Sequence, residues 1–170
     1  IGQLYVNPYS PKPGSIINRN TVVWLNATVK DECGNYVNDT SVTWYTQLWD
    51  PIGTGYNTTW LVPYNFELGP EALRVNTSRQ YYDGNTNYTQ VVVYGWSGVD
   101  YIEPSNGTHV SAGTYVNIRC HVADMNTGED LSNYFVDFFK NGEYMTTKNT
   151  SIDGYVTWLW DTGTETAGYY

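Results

Sequence analysis

The chain has 170 residues, a net charge of −9, and only 15% charged residues. An acidic chain without a basic patch argues against nucleic acid and against an anionic membrane surface as partners. No apolar run is long enough to span a bilayer.

The chain begins at Ile1 with no leader-like segment, which reads as a mature form whose leader was removed or as a fragment of a longer protein. Its first stretch, Ile1, Gly2, Gln3, Leu4, Tyr5, Val6 and Asn7, has the apolar character of a strand and precedes the punctuation Pro11-Lys-Pro-Gly14. Val23, Leu25, Ala27 and Val29 then alternate with Trp24, Asn26, Thr28 and Lys30, the period-two pattern of a half-buried strand. Asp31-Glu-Cys-Gly34 predicts a turn, and Val42 and Trp44 alternate with Thr43 and Tyr45. Gly69-Pro-Glu-Ala-Leu-Arg74 is the one stretch with helical potential, a single turn or a loop at most. Val91-Val-Val-Tyr94 is a short apolar run; Val116, Ile118, Cys120 and Val122 share one strand face; Val136 and Phe138 share another. Asn141-Gly142 follows as a hairpin signal. Short strands with turn residues between them predict an all-β sandwich or barrel.

Seven Asn-x-Ser/Thr sequons punctuate these strands, at Asn26, Asn38, Asn57, Asn76, Asn87, Asn106 and Asn149. With 17 Asn, 21 Thr and 9 Ser, random placement gives roughly three. All seven are candidate acceptors of covalent N-glycans, and a glycan needs an exposed position on a chain that crosses a secretory membrane. An extracellular location follows. Asn26 and Asn76 fall on the polar faces of their strands, whereas Asn38, Asn87 and Asn106 fall in turn-like segments beside Gly or Asp.

The chain also repeats. Tyr5-Val-Asn-Pro8 returns as Tyr101-Ile-Glu-Pro104, and Thr21-Val-Val-Trp-Leu25 as Thr114-Tyr-Val-Asn-Ile118. Val42-Thr-Trp-Tyr45 returns as Val136-Asp-Phe-Phe139, and Gly55-Tyr-Asn-Thr-Thr-Trp-Leu61 as Gly154-Tyr-Val-Thr-Trp-Leu159. Offsets stay between 93 and 99, so two β-sandwich units are expected, residues 1–96 and 97–170, joined near Gly95-Trp-Ser-Gly98.

Each unit resembles the immunoglobulin-like repeats found in tandem in bacterial and archaeal surface proteins. The resemblance rests on Pro11-Lys-Pro-Gly14, the alternating strand after it, the turn Asp31 to Gly34, Val42-Thr-Trp-Tyr45 and Asp153-Gly-Tyr-Val-Thr-Trp158. It extends to Gln80-Tyr-Tyr-Asp-Gly-Asn-Thr-Asn-Tyr88, which is similar to the loop joining the last two strands of such repeats. It implies spacers, stalks, adhesins, surface-layer subunits and pilus-like filaments rather than catalysis. The dense sequons resemble those of archaeal surface glycoproteins. One departure stands out. The first unit has about 35 residues after Trp60-Leu-Val62, and the second about ten after Trp158-Leu-Trp160, up to Tyr170, so the second sandwich is expected to lack its last strand or two. Either the chain is a fragment, or a neighbouring subunit donates a strand, as in donor-strand complementation. Ile1 to Asn7 is the natural donor. The expected function is therefore a structural subunit of an extracellular filament or lattice, a head-to-tail homopolymer. An adhesin or carbohydrate-binding module, or a spacer fragment of a longer surface protein, is the alternative.

Little in the sequence indicates chemistry. His109 and His121 read as solvated surface residues outside any metal-ligand spacing. Asp124-Met-Asn-Thr-Gly-Glu-Asp130 resembles a calcium loop, but its glycine is one place early and the closing glutamate is missing; an inter-strand turn is the better reading. Glu67, Glu71 and Glu103 lack catalytic context, so no enzyme, metal or cofactor is expected. Cys120 reads as a buried free thiol, with a bridge to Cys33 or an intermolecular bond through Cys33 left open. Trp44, Trp60 and Phe138 read as core, and Trp24, Tyr45 and Trp49 as outward aromatics for sugar, a neighbouring subunit or strand edges.

Overall fold

Alternating side chains become strands throughout the computed structural model, which describes residues 1–168. No helix occurs among the described residues, and the chain divides into two units, Ile1–Gly95 and Trp96–Tyr170.

The first unit holds β1 (Gly2–Ser10), β2 (Ser15–Asn18), β3 (Val22–Asp31), β4 (Ser41–Tyr45), β5 (Pro51–Thr54), β6 (Asn57–Leu61), β7 (Gly69–Arg79) and β8 (Tyr82–Tyr94). The strand order is β5-β4-β7-β8-β1-β3-β6, with β2 paired to β8. β1 joins the two layers. It runs antiparallel to β3 from Leu4 to Ser10 and parallel to β8 only at Gly2 and Gln3. The inward faces of both layers meet in a core of Leu25, Trp44, Leu73, Val75, Val91 and Val93, each side chain worth roughly 1.5–3 kcal/mol of burial. This is an immunoglobulin-like sandwich.

Two expectations change in this unit. Gly69–Arg74 is not helical but opens β7, an interior strand. Glu71, Leu73, Val75 and Thr77 are buried while Ala72, Arg74 and Asn76 are half-buried. That alternation serves a strand whose both edges are bonded, one to β4 and one to β8. Gln80 to Tyr88 is not a loop either. The turn is only Gln80-Tyr81, and the rest is the start of β8.

The second unit holds β9 (Ser97–Glu103), β10 (Tyr115–Asp124), β11 (Phe135–Lys140), β12 (Glu143–Asn149) and β13 (Tyr155–Asp161). β13-β10-β9 form one sheet and β11-β12 another. Asn141 and Gly142 have φ of 50° and 84°, the left-handed pair that a tight hairpin matching the strand twist requires. Cys120, Val122, Val136, Phe138 and Val156 form the core, with Ile118, Leu131 and Trp158 packed against it. The pairing repeats that of the first unit: β9, β10 and β13 correspond to β1, β3 and β6, and β11-β12 to β4-β5. No described strand corresponds to β7 or β8.

Candidate functional site

In the first unit β4 is bonded to β7 and β1 to β8, so the path from one layer to the other is continuous. In the second unit the matching edges of β11 and β9 pair with no strand among the described residues. Between them lies a groove of about 390 Å³, lined by Val99 and Tyr101 from β9, Ile118 and Cys120 from β10, and Val136 and Phe138 from β11. The repeat shows what is uncovered. Val99 stands where Val6 stands in the first unit, paired with Val122 as Val6 is with Val29; Val6 is 2% exposed and Val99 54%. Unpaired edge groups beside apolar side chains invite another strand. Cys120, buried as expected, is a free thiol, as is exposed Cys33. Burial pushes the Cys120 thiol up, which leaves it a poor nucleophile.

Of the expected donor, Ile1 to Asn7, Gly2 to Asn7 lie in β1 of the first unit and Ile1 precedes it, exposed. Leu4 and Val6 are in the core of that unit, so donation of this segment requires its release from its own sandwich. Its attachment to β8 changes along its length. After the two parallel pairs at Gly2 and Gln3, side chains replace the backbone ladder. The Val6 N–H donates to Asn85 Oδ1 at 3.0 Å, and Asn87 Nδ2 donates to the Val6 carbonyl at 3.0 Å.

The seven sequons are differently placed. Asn38 and Asn106 are exposed in loops. Asn149 is exposed at the end of β12, its Nδ2 donating to Asn133 Oδ1 at 2.8 Å. Asn57 and half-buried Asn26 lie directly opposite each other in the β3–β6 pair, and the Tyr9 hydroxyl donates to Asn57 Oδ1 at 3.4 Å. Asn76, half-buried on the outer side of β7, is in register with Thr43 and Thr86. Asn87 is not in a turn: it is half-buried within β8.

Among the aromatics, Trp44 and Trp60 are core and Trp24 is 64% exposed. Tyr45, Trp49 and Arg74 cluster, with the Trp49 ring 5.5 Å from Tyr45 and 5.1 Å from the Arg74 guanidinium. His121 is not simply solvated: Nε2 meets Asp130 Oδ1 at 2.7 Å and the ring packs 4.7 Å from Tyr155. Asp124 Oδ1 accepts the N–H groups of Asn126 and Thr127, which makes the loop an Asx turn. Glu71, which has no catalytic context in the sequence, is 7% exposed and accepts the Gln47 N–H at 2.6 Å. Burial raises its carboxyl above the ordinary range, against the lowering effect of the Gln47 N–H and with help from Glu67. Its only signal was the alternation of β7, which places Glu71 on the inward face. Among the described residues no group of three His, Cys, Asp or Glu is arranged to hold a metal.

No protein-family model matches the chain, and no curated protein matches it in sequence. Solved structures resemble it in fold. The fibronectin(III)-like modules of Clostridium thermocellum CbhA are 16% identical with a TM-score of 0.39, over 91% of this chain and 78% of that one. The three N-terminal domains of the bacteriophage RB49 outer capsid protein Hoc are 16% identical with a TM-score of 0.41, over 92% of this chain and 57% of that one. Domains 5–6 of the S-layer protein SbsC are 14% identical with a TM-score of 0.33, over 96% of this chain and 88% of that one.

Proposed function

We propose that this chain is a structural module of an extracellular surface, N-glycosylated, whose second unit is completed by strands from a neighbouring copy. One observation carries the reading. Among the described residues no strand of the second unit stands where β7 and β8 stand in the first, between the edges of β9 and β11, and the space between is an apolar groove. Strands added there would bond both edges and cover Val99 and Tyr101. A single donated strand bonds one edge, and a second closes the gap, since neighbouring strands lie about 4.8 Å apart. The candidate donor is Ile1 to Asn7, exchanged out of its own sandwich in the manner of a domain swap. Head-to-tail exchange of this kind generates filaments or a lattice. The sequons exposed in loops, Asn38 and Asn106, support a sugar-coated exterior.

The test uses the full chain and Cys120, which lines the groove, with exposed Cys33 as the reference thiol. A synthetic peptide of residues 1–10 is added, and labelling of Cys120 and polymer length are followed. The peptide is expected to slow Cys120 labelling, leave Cys33 unchanged and shorten polymers. A chain that sediments as a monomer at all concentrations, with Cys120 labelling indifferent to the peptide, removes strand exchange and leaves a surface spacer.

A second reading, a carbohydrate-binding module, is favoured by the Tyr45–Trp49–Arg74 cluster. Aromatic faces of this kind stack on apolar ring surfaces. Glycan binding lost in Trp49→Ala would support it.

A further inference from the structure

We infer that the sequon Asn87-Tyr88-Thr89 is a latch that holds β1 in the first unit, and that a sugar on Asn87 and a docked β1 exclude each other. The inference deepens the reading above, on which it rests for the sugar and for the meaning of β1 release; the latch itself stands on geometry alone.

Both chemical groups of this sequon are engaged with the N-terminal segment. Asn87 Nδ2 donates to the Val6 carbonyl at 3.0 Å, while Asn87 Oδ1 accepts the Tyr88 N–H at 2.9 Å. Thr89 Oγ1 donates to the Pro11 carbonyl at 3.0 Å, and Thr89 is 2% exposed. Asn85 completes the arrangement by accepting the Val6 N–H. Val6 is itself a core residue, and both of its backbone groups bond to these two asparagines on the β8 side. An unsatisfied group there is costly.

N-glycosylation forms a bond between the amide nitrogen and the anomeric carbon of an activated, phosphate-linked sugar donor. The phosphate leaves and the nitrogen gives up one proton. At Asn87 that nitrogen is within hydrogen-bond distance of β1, and a pyranose ring attached there needs the space β1 occupies. The hydroxyl of the same sequon is buried under Pro11. By contrast, Asn38 and Asn106 lie in exposed loops. The seven sequons are therefore not equivalent: Asn87 is a structural amide while β1 is in place, and becomes an acceptor only in chains whose β1 has left. A sugar at Asn87 would then hold the slot open and mark the strand-donating form.

Two arms test this on the full chain. Hydrogen exchange is measured for residues 4–7 in wild type, Asn85→Ala, Asn87→Ala and Asn87→Asp, the last able to accept but not to donate. Exchange in this segment is expected to rise about tenfold in each variant, with residues 116–122 of β10 unchanged. Glycopeptide mass spectrometry of chains made in a glycosylating host is expected to find sugar on Asn38 and Asn106, and none on Asn87 of chains whose β1 is protected. Unchanged exchange in the alanine variants overturns the latch. Sugar on Asn87 of chains with a protected β1 overturns the exclusion. If no sequon carries sugar, the glycoprotein reading and the exclusion built on it fall, and the exchange arm still decides the latch.

Discussion

Asn38 and Asn87 carry the same three-residue signal, yet one lies in an exposed loop and the other has its amide tied to a neighbouring strand. The signal is local and the difference is made by β1, distant in sequence, so no reading of the sequon alone separates them. Trp44 is the opposite case. Its place in the Val42-Thr-Trp-Tyr45 alternation marked it as core, and it is 0% exposed with Nε1 donating to the Gly55 carbonyl at 3.2 Å. Trp44→Ala is expected to destabilise the first unit by about 3–5 kcal/mol, read by urea unfolding. Glu71 carries a pH dependence. Its folded carboxyl is raised above the model-compound value of 4.5, chiefly by burial. As pH rises through that value the unfolded chain ionises first, so stability is lost until the folded group ionises too. Glu71→Gln keeps an acceptor for the Gln47 N–H and removes this loss. The variant is expected to gain on wild type in urea unfolding as pH rises above about 4.5, and a gap between the two that stays constant with pH refutes the assignment.

Most strands were legible because their period is two and their boundaries are turn residues. The exceptions were β7 and the start of β8. Gly69-Pro-Glu-Ala-Leu-Arg74 contains good helix formers, but bonding on both edges, to β4 and β8, decides its conformation. Pro70 is tolerated because it stands at the beginning of the strand. Turns follow local chemistry more closely. Asn141-Gly142 supplied the hairpin expected of it. Gly154, before β13, has a φ of 71°, and a Cβ there would lie 2.6 Å from the Val122 carbonyl oxygen. Gly154→Ala therefore meets backbone that cannot turn aside. A loss of about 2 kcal/mol or more is expected in the second unit, seen as a lower unfolding midpoint with the first unit unaffected.

On the scale of the whole molecule the two units differ in completeness. The first closes its layers through β7 and β8, which bring Leu73, Val75, Val91 and Val93 into its core; the second, among the described residues, has a smaller core and leaves the edges of β9 and β11 without a partner strand. Two unfolding transitions are expected, the second unit melting first and binding a hydrophobic dye in its native state; the strand peptide should raise that transition and displace the dye. A single transition without dye binding would mean the groove is covered. Composition, periodicity and sequons were enough to determine an all-β chain of two repeats with outward polar faces, because alternation and turn chemistry act over a few residues. The tertiary structure alone decided that Gly69–Arg74 is a strand, that Asn87 is held against β1, and that the N-terminal segment lies in the first unit's own core. Each of these depends on partners far away in sequence, and which strands become neighbours is settled only when the sheets close around one core.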